Sequence, residues 1–364
     1  MTPQTATIVP HIKERKRLIR RATLDNSQRL RHIVQFAFVL LNAWLGIQFY
    51  LWVRFFERGG VGLEVPRPAG AEGWLPIAGL MNFKYLVLTG HVPAIHPAAM
   101  FLFMAFLAMS LIAKKSFCSW LCPVGTFSEV LARIGKKIFG RNLHLPRWAD
   151  LPLRGLKYLL LGFFVLIIGT MSAAAIAEFM HTPYGLIADV KMLNFFREMS
   201  HTAAIVLAAL FLLSILVENF WCRYLCPYGA LMGLASLLSP LKIRRNPKTC
   251  IDCAKCAHAC PAALQVDKLA KIRSVECTAC MACIAACPAE GVLRFSLAPG
   301  LGSAAAQPRI RRAVTPLAMI GLLAILFLGT VLVARATNHW QTNVPRLVYQ
   351  ELVPNADQAT HPGY

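Results

Sequence analysis

The chain has 364 residues, of which 57% are apolar and 15% charged, and it carries a formal net charge of +21. This composition excludes a soluble cytosolic enzyme, a secreted mini-protein and a disordered tail, and it predicts a membrane protein. All twelve cysteines fall into short tandem motifs, a pattern that disfavours a disulfide scaffold.

The chain begins with a basic segment, residues 1–32, followed by apolar stretches that are free of charged side chains. A membrane-spanning helix needs about 20 such residues. The sequence therefore predicts five spans, Ile33–Val53, Val92–Ala113, Tyr158–Ala177, Met199–Val217 and Ala313–Ala334. The shorter run Gly73–Phe83 is interpreted as a re-entrant or interfacial piece.

The basic residues divide unequally between the two sides that these spans create. Thirty of the 38 Lys and Arg residues lie before the first span, between the second and third, and between the fourth and fifth. The positive-inside rule makes that side cytoplasmic, which places the N-terminus inside and the C-terminus in the periplasm. Membrane topology thus accounts for basic clusters such as Lys114 and Lys115, and no nucleic-acid partner is expected. The first span resembles a retained signal anchor, because no cleavage site is evident.

Two short motifs, each with a pair of cysteines, follow directly on the second and fourth spans. They read Phe117-Cys118-Ser-Trp-Leu-Cys122-Pro123 and Trp221-Cys222-Arg-Tyr-Leu-Cys226-Pro227. On a helix, cysteines four residues apart share one face, and the matching positions place all four thiols at a similar depth near the cytoplasmic interface. These C-x₃-C-P cysteines are a candidate additional metal or cluster site. A redox-active thiol set and simple packing are the alternatives.

A quinone site would need a proton-exchanging group near a membrane interface. His91 and His96, at the outer end of the second span, are the candidates, and Glu178, His181, Asp189 and His201 flank the next outer loop.

The segment between the fourth and fifth spans contains the run C-x₂-C-x₂-C-x₃-C-P twice. In this bacterial ferredoxin pattern, three cysteines hold one [4Fe–4S] cluster and the fourth ligates the other cluster. Cluster one is expected to take Cys250, Cys253, Cys256 and Cys287, and cluster two Cys277, Cys280, Cys283 and Cys260. A zinc ribbon lacks the third and fourth cysteines of each run. A c-type haem site would need histidine directly after C-x-x-C, whereas Ala257 follows Cys256.

Together these features predict an α-helical membrane protein of about five helices, two repeated hairpins plus one, with an inserted cytoplasmic ferredoxin domain. The expected divisions are a basic segment 1–32, a membrane core 33–240, a 2[4Fe–4S] ferredoxin domain 241–298, a linker 299–312, a fifth helix 313–334 and a periplasmic tail 335–364.

With both cysteine elements present, residues 33 to 296 resemble the polyferredoxin-type membrane proteins of the NapH, NosR and CcoG group, in layout most closely the NapH type. The resemblance rests on Cys118, Cys122, Pro123, Cys222, Cys226, Pro227 and the eight ferredoxin cysteines with Pro261 and Pro288. It implies electron transfer at the bacterial cytoplasmic membrane, with quinol as a frequent donor and a periplasmic or membrane redox partner. No flavin attachment motif is found.

Three functions therefore remain open. The first is a membrane electron-transfer protein that links quinol to a partner redox protein, as an oxidoreductase component rather than a stand-alone catalyst. The second is a copper- or iron-ion reductase or maturation factor fed by the same clusters, and the third is an iron–sulfur redox sensor.

Overall fold

The computed structural model describes residues 25–143, 145–297 and 313–362, and most of these residues are helical. The predicted basic segment 1–32 lies largely outside the described residues, and the predicted linker 299–312 lies entirely outside them. The α-helices are α1 (Ser27–Glu57), α2 (Pro76–Thr89), α3 (Pro97–Ala113), α4 (Ser116–Trp120), α5 (Pro123–Phe139), α6 (Arg147–Thr170), α7 (Ala173–His181), α8 (Pro183–Leu186), α9 (Ala188–Arg197), α10 (His201–Leu216), α11 (Pro227–Ala235), α12 (Lys255–His258), α13 (Ala282–Ala285), α14 (Pro316–Ala336) and α15 (Arg346–Leu352). Short 3₁₀ helices cover Ala69–Trp74, Pro247–Thr249 and Ala356–Gln358, and a π-helix covers Trp221–Leu225.

Three of the described helices, α1, α6 and α14, are long and apolar enough to cross a membrane. A fourth span results if α9 and α10, which meet at an angle of 79°, count as one broken span. The helix α3 is apolar but has only 17 residues. The chain is therefore a helical membrane protein, whereas the predicted count of five spans is not reached by these length criteria.

The third predicted span differs most from the structure in its boundaries. The helix α6 already begins at Arg147 and ends at Thr170, and Met171 is extended. The Ser172 side chain then accepts a hydrogen bond from the Ala175 backbone N–H and starts α7. Such N-caps satisfy backbone donors that a helix leaves unpaired. Residues 158–177 are predominantly apolar, so their hydropathy does not indicate the break between α6 and α7.

The central helix of the membrane part is α3. Most of its side chains are buried, including Met100 and Met109. Its first residue is Pro97, and proline is favourable there because the first backbone N–H groups of a helix have no partner within the helix. The predicted re-entrant piece, Gly73–Phe83, comprises the last two residues of the 3₁₀ helix Ala69–Trp74 and the first eight residues of α2, which packs against α3. Gly79 permits that approach, because a Cβ there would lie 2.8 Å from the Ala99 carbonyl oxygen.

A two-stranded antiparallel sheet closes the ferredoxin domain. Its strands are β1 (Leu241–Arg245) and β2 (Leu293–Leu297), and Ile243 pairs with Phe295. Both of these side chains are buried in the same hydrophobic core as Met109 of α3 and Met232 of α11. The ferredoxin domain is therefore packed onto the membrane helices and shares their core.

The chain after α14 folds back onto the opposite end of the helices. Tyr349 of α15 and Val353 are buried against Trp52 and Phe56 at the end of α1 and against Val190 of α9. Hydrophobic burial of this kind fixes the tail in place. The predicted tail 335–364 thus includes a packed helical segment over its described residues.

Candidate iron–sulfur and membrane cavity site

The first four-cysteine set of the ferredoxin domain surrounds a small cavity. Its walls include the four cysteines expected for cluster one, Cys250, Cys253, Cys256 and Cys287. Cys253 is exposed, whereas Cys250 and Cys256 are buried. The fourth cysteine comes from the second motif, so the arrangement is crossed.

The second set surrounds a separate cavity. Its walls include Cys260 from the first motif and Cys277, Cys280 and Cys283 from the second. The sets in the structure are those that the motif spacing predicts, and the role of each cysteine as a ligand remains a prediction.

The two cysteine loops share an unusual backbone. Asp252 and Ala254 have positive φ angles of 54° and 54°, and the matching residues Ala279 and Met281 have angles of 51° and 60°. Non-glycine residues seldom adopt this region, and such strain concentrates at functional sites. The two cysteine motifs thus share backbone conformation as well as sequence, and both loops fit the same kind of cofactor.

The second loop is attached directly to the membrane part. The Ser119 hydroxyl donates to the Thr278 carbonyl oxygen at 2.6 Å, and the Trp120 indole N–H donates to that of Ala279 at 3.2 Å. Gln28 of α1 donates to the Cys280 carbonyl oxygen at 2.9 Å. The second cavity is therefore the one nearest the membrane helices, and the first is the distal one.

The four C-x₃-C-P cysteines meet at the wall of a larger cavity. Burial raises the pKa of Cys118 to about 12 and that of Cys122 to about 11. Burial likewise raises the pKa of Cys222 and Cys226, and neighbouring thiols of the set add to the effect at Cys222. The structure therefore brings together two pairs that lie 104 residues apart in sequence. Burial opposes ionisation of these thiols, whereas the charge of Lys115 favours it at Cys118 and Cys226.

Buried lysines stand beside these thiols. Lys157 donates to a Glu276 carboxylate oxygen at 2.6 Å, and Lys115 lies 3.8 Å from the other oxygen of that carboxylate. Burial alone would lower the pKa of Lys115, but Cys118 and Glu276 raise it overall. Two buried cations thus share one carboxylate, and this surplus of positive charge favours an anionic centre next to it.

The sequence motifs gave no signal for this ion cluster. Lys114 and Lys115 were interpreted as part of the surface charge that sets topology, yet both are buried. The Lys114 ammonium donates to the Ser274 carbonyl oxygen at 3.1 Å. Their partners lie about 160 positions away along the chain, so only the tertiary structure identifies them.

The larger cavity has a volume of about 810 Å³ and extends along the membrane helices. Ferredoxin residues Pro261, Thr278 and Cys280 line one end, and Arg67 and Trp340 line the other. Apolar side chains of α1 and α14 form its sides, among them Phe38, Leu41, Phe327 and Val331. A cavity of this size and lining suits an amphipathic small molecule.

A second charged network lies at the end away from the ferredoxin domain. The Arg67 guanidinium donates to Asp189 at 2.6 Å and to Glu72 at 2.8 Å, and the Thr342 hydroxyl donates to Glu72 at 2.5 Å. Burial alone would raise the pKa of Glu72, but Arg67 and hydrogen bonds from His96 and Thr342 lower it to about 2.

The histidines proposed for quinone binding occupy different surroundings. The Nε2 of His96 is 2.9 Å from the Gly185 carbonyl oxygen, and its Nδ1 is 3.3 Å from Glu72. Both ring nitrogens of His96 are therefore engaged within the protein, and its role at a quinone stays a prediction. His91 is exposed after the end of α2, and its role stays a prediction. Asp189, a flanking candidate, is an ion partner of Arg67.

Among the described residues, no three His, Cys, Asp or Glu side chains converge as ligands of a single metal ion. The cysteines instead stand around cavities.

Comparison with known proteins defines the class. A model for a 4Fe-4S binding domain matches residues 95–142 and 200–246, which contain the two C-x₃-C-P motifs. A model for a 4Fe-4S dicluster domain matches residues 242–288. The chain is thus an iron–sulfur membrane protein with ferredoxin-type domains.

The relatives then give the family. The putative electron transport protein YccM of Escherichia coli K12 is 48% identical over 336 residues, which cover 92% of this chain and 93% of YccM. The ferredoxin-type protein NapH of Escherichia coli K12 is 27% identical over 48% of this chain and 57% of NapH. Protein NirI of Paracoccus denitrificans is 27% identical over 50% of this chain and 27% of NirI. The chain belongs to the polyferredoxin-type membrane 4Fe–4S proteins related to NapH and NosR. No solved structure matches it.

Proposed function

We propose that this protein transfers electrons within the bacterial cytoplasmic membrane through two [4Fe–4S] clusters. The main support is that two cavities are each lined by four cysteines, three from one motif and the fourth from the other. Cluster one is assigned to Cys250, Cys253, Cys256 and Cys287, and cluster two to Cys277, Cys280, Cys283 and Cys260. When bound, each cluster supplies a centre that exchanges single electrons. The putative electron transport function in the name of YccM supports the same conclusion.

The electron donor is proposed to be a quinol that enters the large cavity. The cavity combines apolar walls from α1 and α14 with polar groups at both ends, and one end reaches Cys280 of the second set. Oxidation of a quinol to a quinone releases two electrons and two protons, and two one-electron centres can accept the electrons. Arg31 and Glu129 form an ion pair of 2.6 Å on the same cavity wall and contribute fixed charged groups to it.

The proposed orientation follows from the charge distribution. The basic segments, which include the ferredoxin domain, lie in the cytoplasm, and the packed tail around Tyr349 lies in the periplasm. A redox partner in the membrane or periplasm would then complete the path. The cavity, which reaches from the ferredoxin domain to Arg67, supports quinone as the mobile link across the hydrocarbon.

Substitution in the cavity wall tests the quinol step. Val331 lines the cavity, whereas its neighbour Leu332 is 64% exposed on the outer surface of α14. The Val331→Trp variant should slow reduction of the clusters by a quinol at least about tenfold, because the larger side chain narrows the cavity. The Leu332→Trp variant should match the wild type, and dithionite should reduce the clusters of all three proteins.

The readout is the electron paramagnetic resonance signal of the reduced clusters in anaerobically purified protein. Equal quinol-dependent rates for Val331→Trp and wild type would show that quinol does not react through this cavity. Failure of quinol to reduce even the wild type would refute the quinol link while leaving the clusters themselves intact.

A second candidate function is reduction of copper or iron ions. It is favoured by the four buried thiols of Cys118, Cys122, Cys222 and Cys226 in the cavity wall, because thiolates are soft ligands. These thiols would hold a further metal or cluster, with the excess charge of Lys115 and Lys157 beside it. Under this function, Cys222→Ser should abolish metal-ion reduction while both ferredoxin clusters remain. Under the first function, metal ions should not be reduced by either protein.

A further inference from the structure

The distal end of the ferredoxin domain is the end that is open to solvent. Cys253 of the first set is exposed, whereas Cys277 and Cys283 of the second set are buried. The hydrogen bonds from Ser119 and Trp120 to the second loop hold that loop against the membrane helices. An electron that enters from the aqueous side therefore has its shortest route at Cys253.

Two exposed apolar side chains flank this opening. Ile251 is 45% exposed and Leu269 is 43% exposed. Arg245 connects the two segments, since its Nε donates to the Leu269 carbonyl oxygen at 3.2 Å and its Nη1 lies 3.8 Å from Asp252. Ile251 and Cys253 line the first cavity directly. The opening of the first cavity thus lies beside exposed apolar side chains, which are typical of protein contacts.

Three exposed lysines lie close in sequence to these apolar residues. Lys248 precedes the first cysteine, Lys255 follows Cys253, and Lys268 adjoins Leu269, and all three are exposed. Together with Ile251, Cys253 and Leu269 they form what we call the distal surface. The acidic groups nearby contribute less, because Asp252 is paired with Arg245 and Asp267 is half-buried at the cavity wall.

The excess of positive charge extends over the whole domain. Residues 241–297 contain nine Lys and Arg residues, Lys242, Arg244, Arg245, Lys248, Lys255, Lys268, Lys271, Arg273 and Arg294, but only four acidic residues, Asp252, Asp267, Glu276 and Glu290. One of the four, Glu276, is buried between lysines. Such a field attracts acidic proteins and speeds their association.

We propose that the distal surface docks a small, acidic, soluble electron-carrier protein that exchanges one electron with the first cysteine set. This inference rests on the proposed function, because it requires a cluster at that set. One electron would pass between the carrier and a cluster at the first set, one being oxidised as the other is reduced, with no bond made and no proton transferred. The distal surface contains Ile251 and Cys253 of the first loop, whereas the hydrogen bonds to the membrane helices come from the second loop. This difference favours a soluble protein over a lipid headgroup as the occupant.

Binding of a flavodoxin tests the proposal directly. The purified full-length protein is immobilised in detergent, and the dissociation constant for an acidic flavodoxin is measured at several ionic strengths. Binding should weaken as salt rises, because the contact is electrostatic. The charge-reversal variant Lys255→Glu with Lys268→Glu should weaken binding at least about tenfold.

The matched control reverses the charge of Lys136 and Lys137, which are exposed on α5 and lie outside the ferredoxin domain. Lys136→Glu with Lys137→Glu should leave the dissociation constant within about twofold of wild type. Equal effects of both pairs, or flavodoxin binding that does not change with salt, would overturn the proposed surface. So would binding of anionic vesicles that depends on Lys255 and Lys268 while flavodoxin does not bind.

Iron content and dithionite reduction are measured on the same variants. Normal clusters with lost flavodoxin binding support the distal surface. Absence of clusters from the wild type would instead refute the proposed function, so the two failures are distinguishable.

Discussion

His96 lies in a buried ion network that favours its protonated form. Its imidazole contacts Glu72 and the Gly185 carbonyl oxygen, and Asp189 and Arg67 complete its charged surroundings. Burial alone would lower the pKa of His96, but the hydrogen bond and charge of Glu72 raise it overall, against the opposing effect of Arg67. A protonated His96 with Arg67 balances the two carboxylates, so the four-group network is neutral as a whole.

Protein stability should consequently depend on pH through His96. The folded-state pKa is raised above the ordinary value, so its contribution is fully present below about pH 6.5 and is lost as pH rises through the raised pKa. In detergent, the thermal unfolding midpoint of wild type should fall over this range relative to that of His96→Gln. Parallel pH profiles of the two proteins would contradict a charged His96.

The cysteine sites could be predicted from the sequence, whereas the ion networks could not, for a physical reason. Ligands of one cofactor loop lie within a few residues of each other, so the spacing around Cys250 and Cys277 is visible in the sequence. Glu72 and Asp189, by contrast, are 117 positions apart and meet only through Arg67. Nothing in the local sequence of His96 distinguished an ion partner from a quinone ligand.

At the scale of elements, the two C-x₃-C-P motifs differ in their backbone despite their similar sequences. The first forms the α-helix α4, and the second forms the π-helix Trp221–Leu225. Each is followed by a helix that starts at proline, α5 or α11, and by a glycine two residues later. Insertions of π type occur often at functional sites, and this difference was not visible in the repeat.

The two equivalent glycines should respond differently to substitution. A Cβ on Gly125 would overlap the Cys118 carbonyl oxygen, whereas a Cβ on Gly229 would make only ordinary contacts of 3.5 Å or more, with Cys226 and Lys115. Gly125→Ala should therefore destabilise the protein by about 1–3 kcal/mol, the usual cost of overpacking.

Gly229→Ala serves as the control and should stay within about 0.5 kcal/mol of wild type, since helix-interior glycine is itself unfavourable. Denaturant unfolding in detergent measures both variants. A destabilisation by Gly229→Ala that equals that of Gly125→Ala would show that the two motifs are packed alike.

Hydropathy predicts the apolar helices but not the residues at which they end. Apolar windows located α1, α6, α10 and α14 but did not show that α6 stops at Thr170 or that α10 bends away from α9. Helix ends depend on caps such as Ser172 and Ser200, whose hydroxyls accept from backbone N–H groups. Each such cap is a single polar residue, and its effect is lost when hydropathy is averaged over about 20 positions.

Across the whole molecule, the cysteine sets and the cavities form a series from the ferredoxin domain into the membrane part. The distal cavity near Cys253 is followed by the proximal cavity near Cys280, then by the four C-x₃-C-P thiols and the large cavity that ends near Arg67. The shared hydrophobic core of α3 and the ferredoxin domain packs the cysteine sets against the membrane helices. Such an order suits electron exchange between an aqueous carrier and a molecule within the membrane.

The content of iron and acid-labile sulfide per chain shows whether the eight ferredoxin cysteines hold two [4Fe–4S] clusters. Anaerobically purified wild type should contain about eight iron and eight sulfide per chain from these two clusters. The joint substitution of Cys250, Cys253, Cys256 and Cys287 by alanine should remove about four of each. An excess over eight in wild type that is lost when Cys118, Cys122, Cys222 and Cys226 become serine would place a further cluster at those thiols. Protein that carries zinc without acid-labile sulfide would refute both clusters.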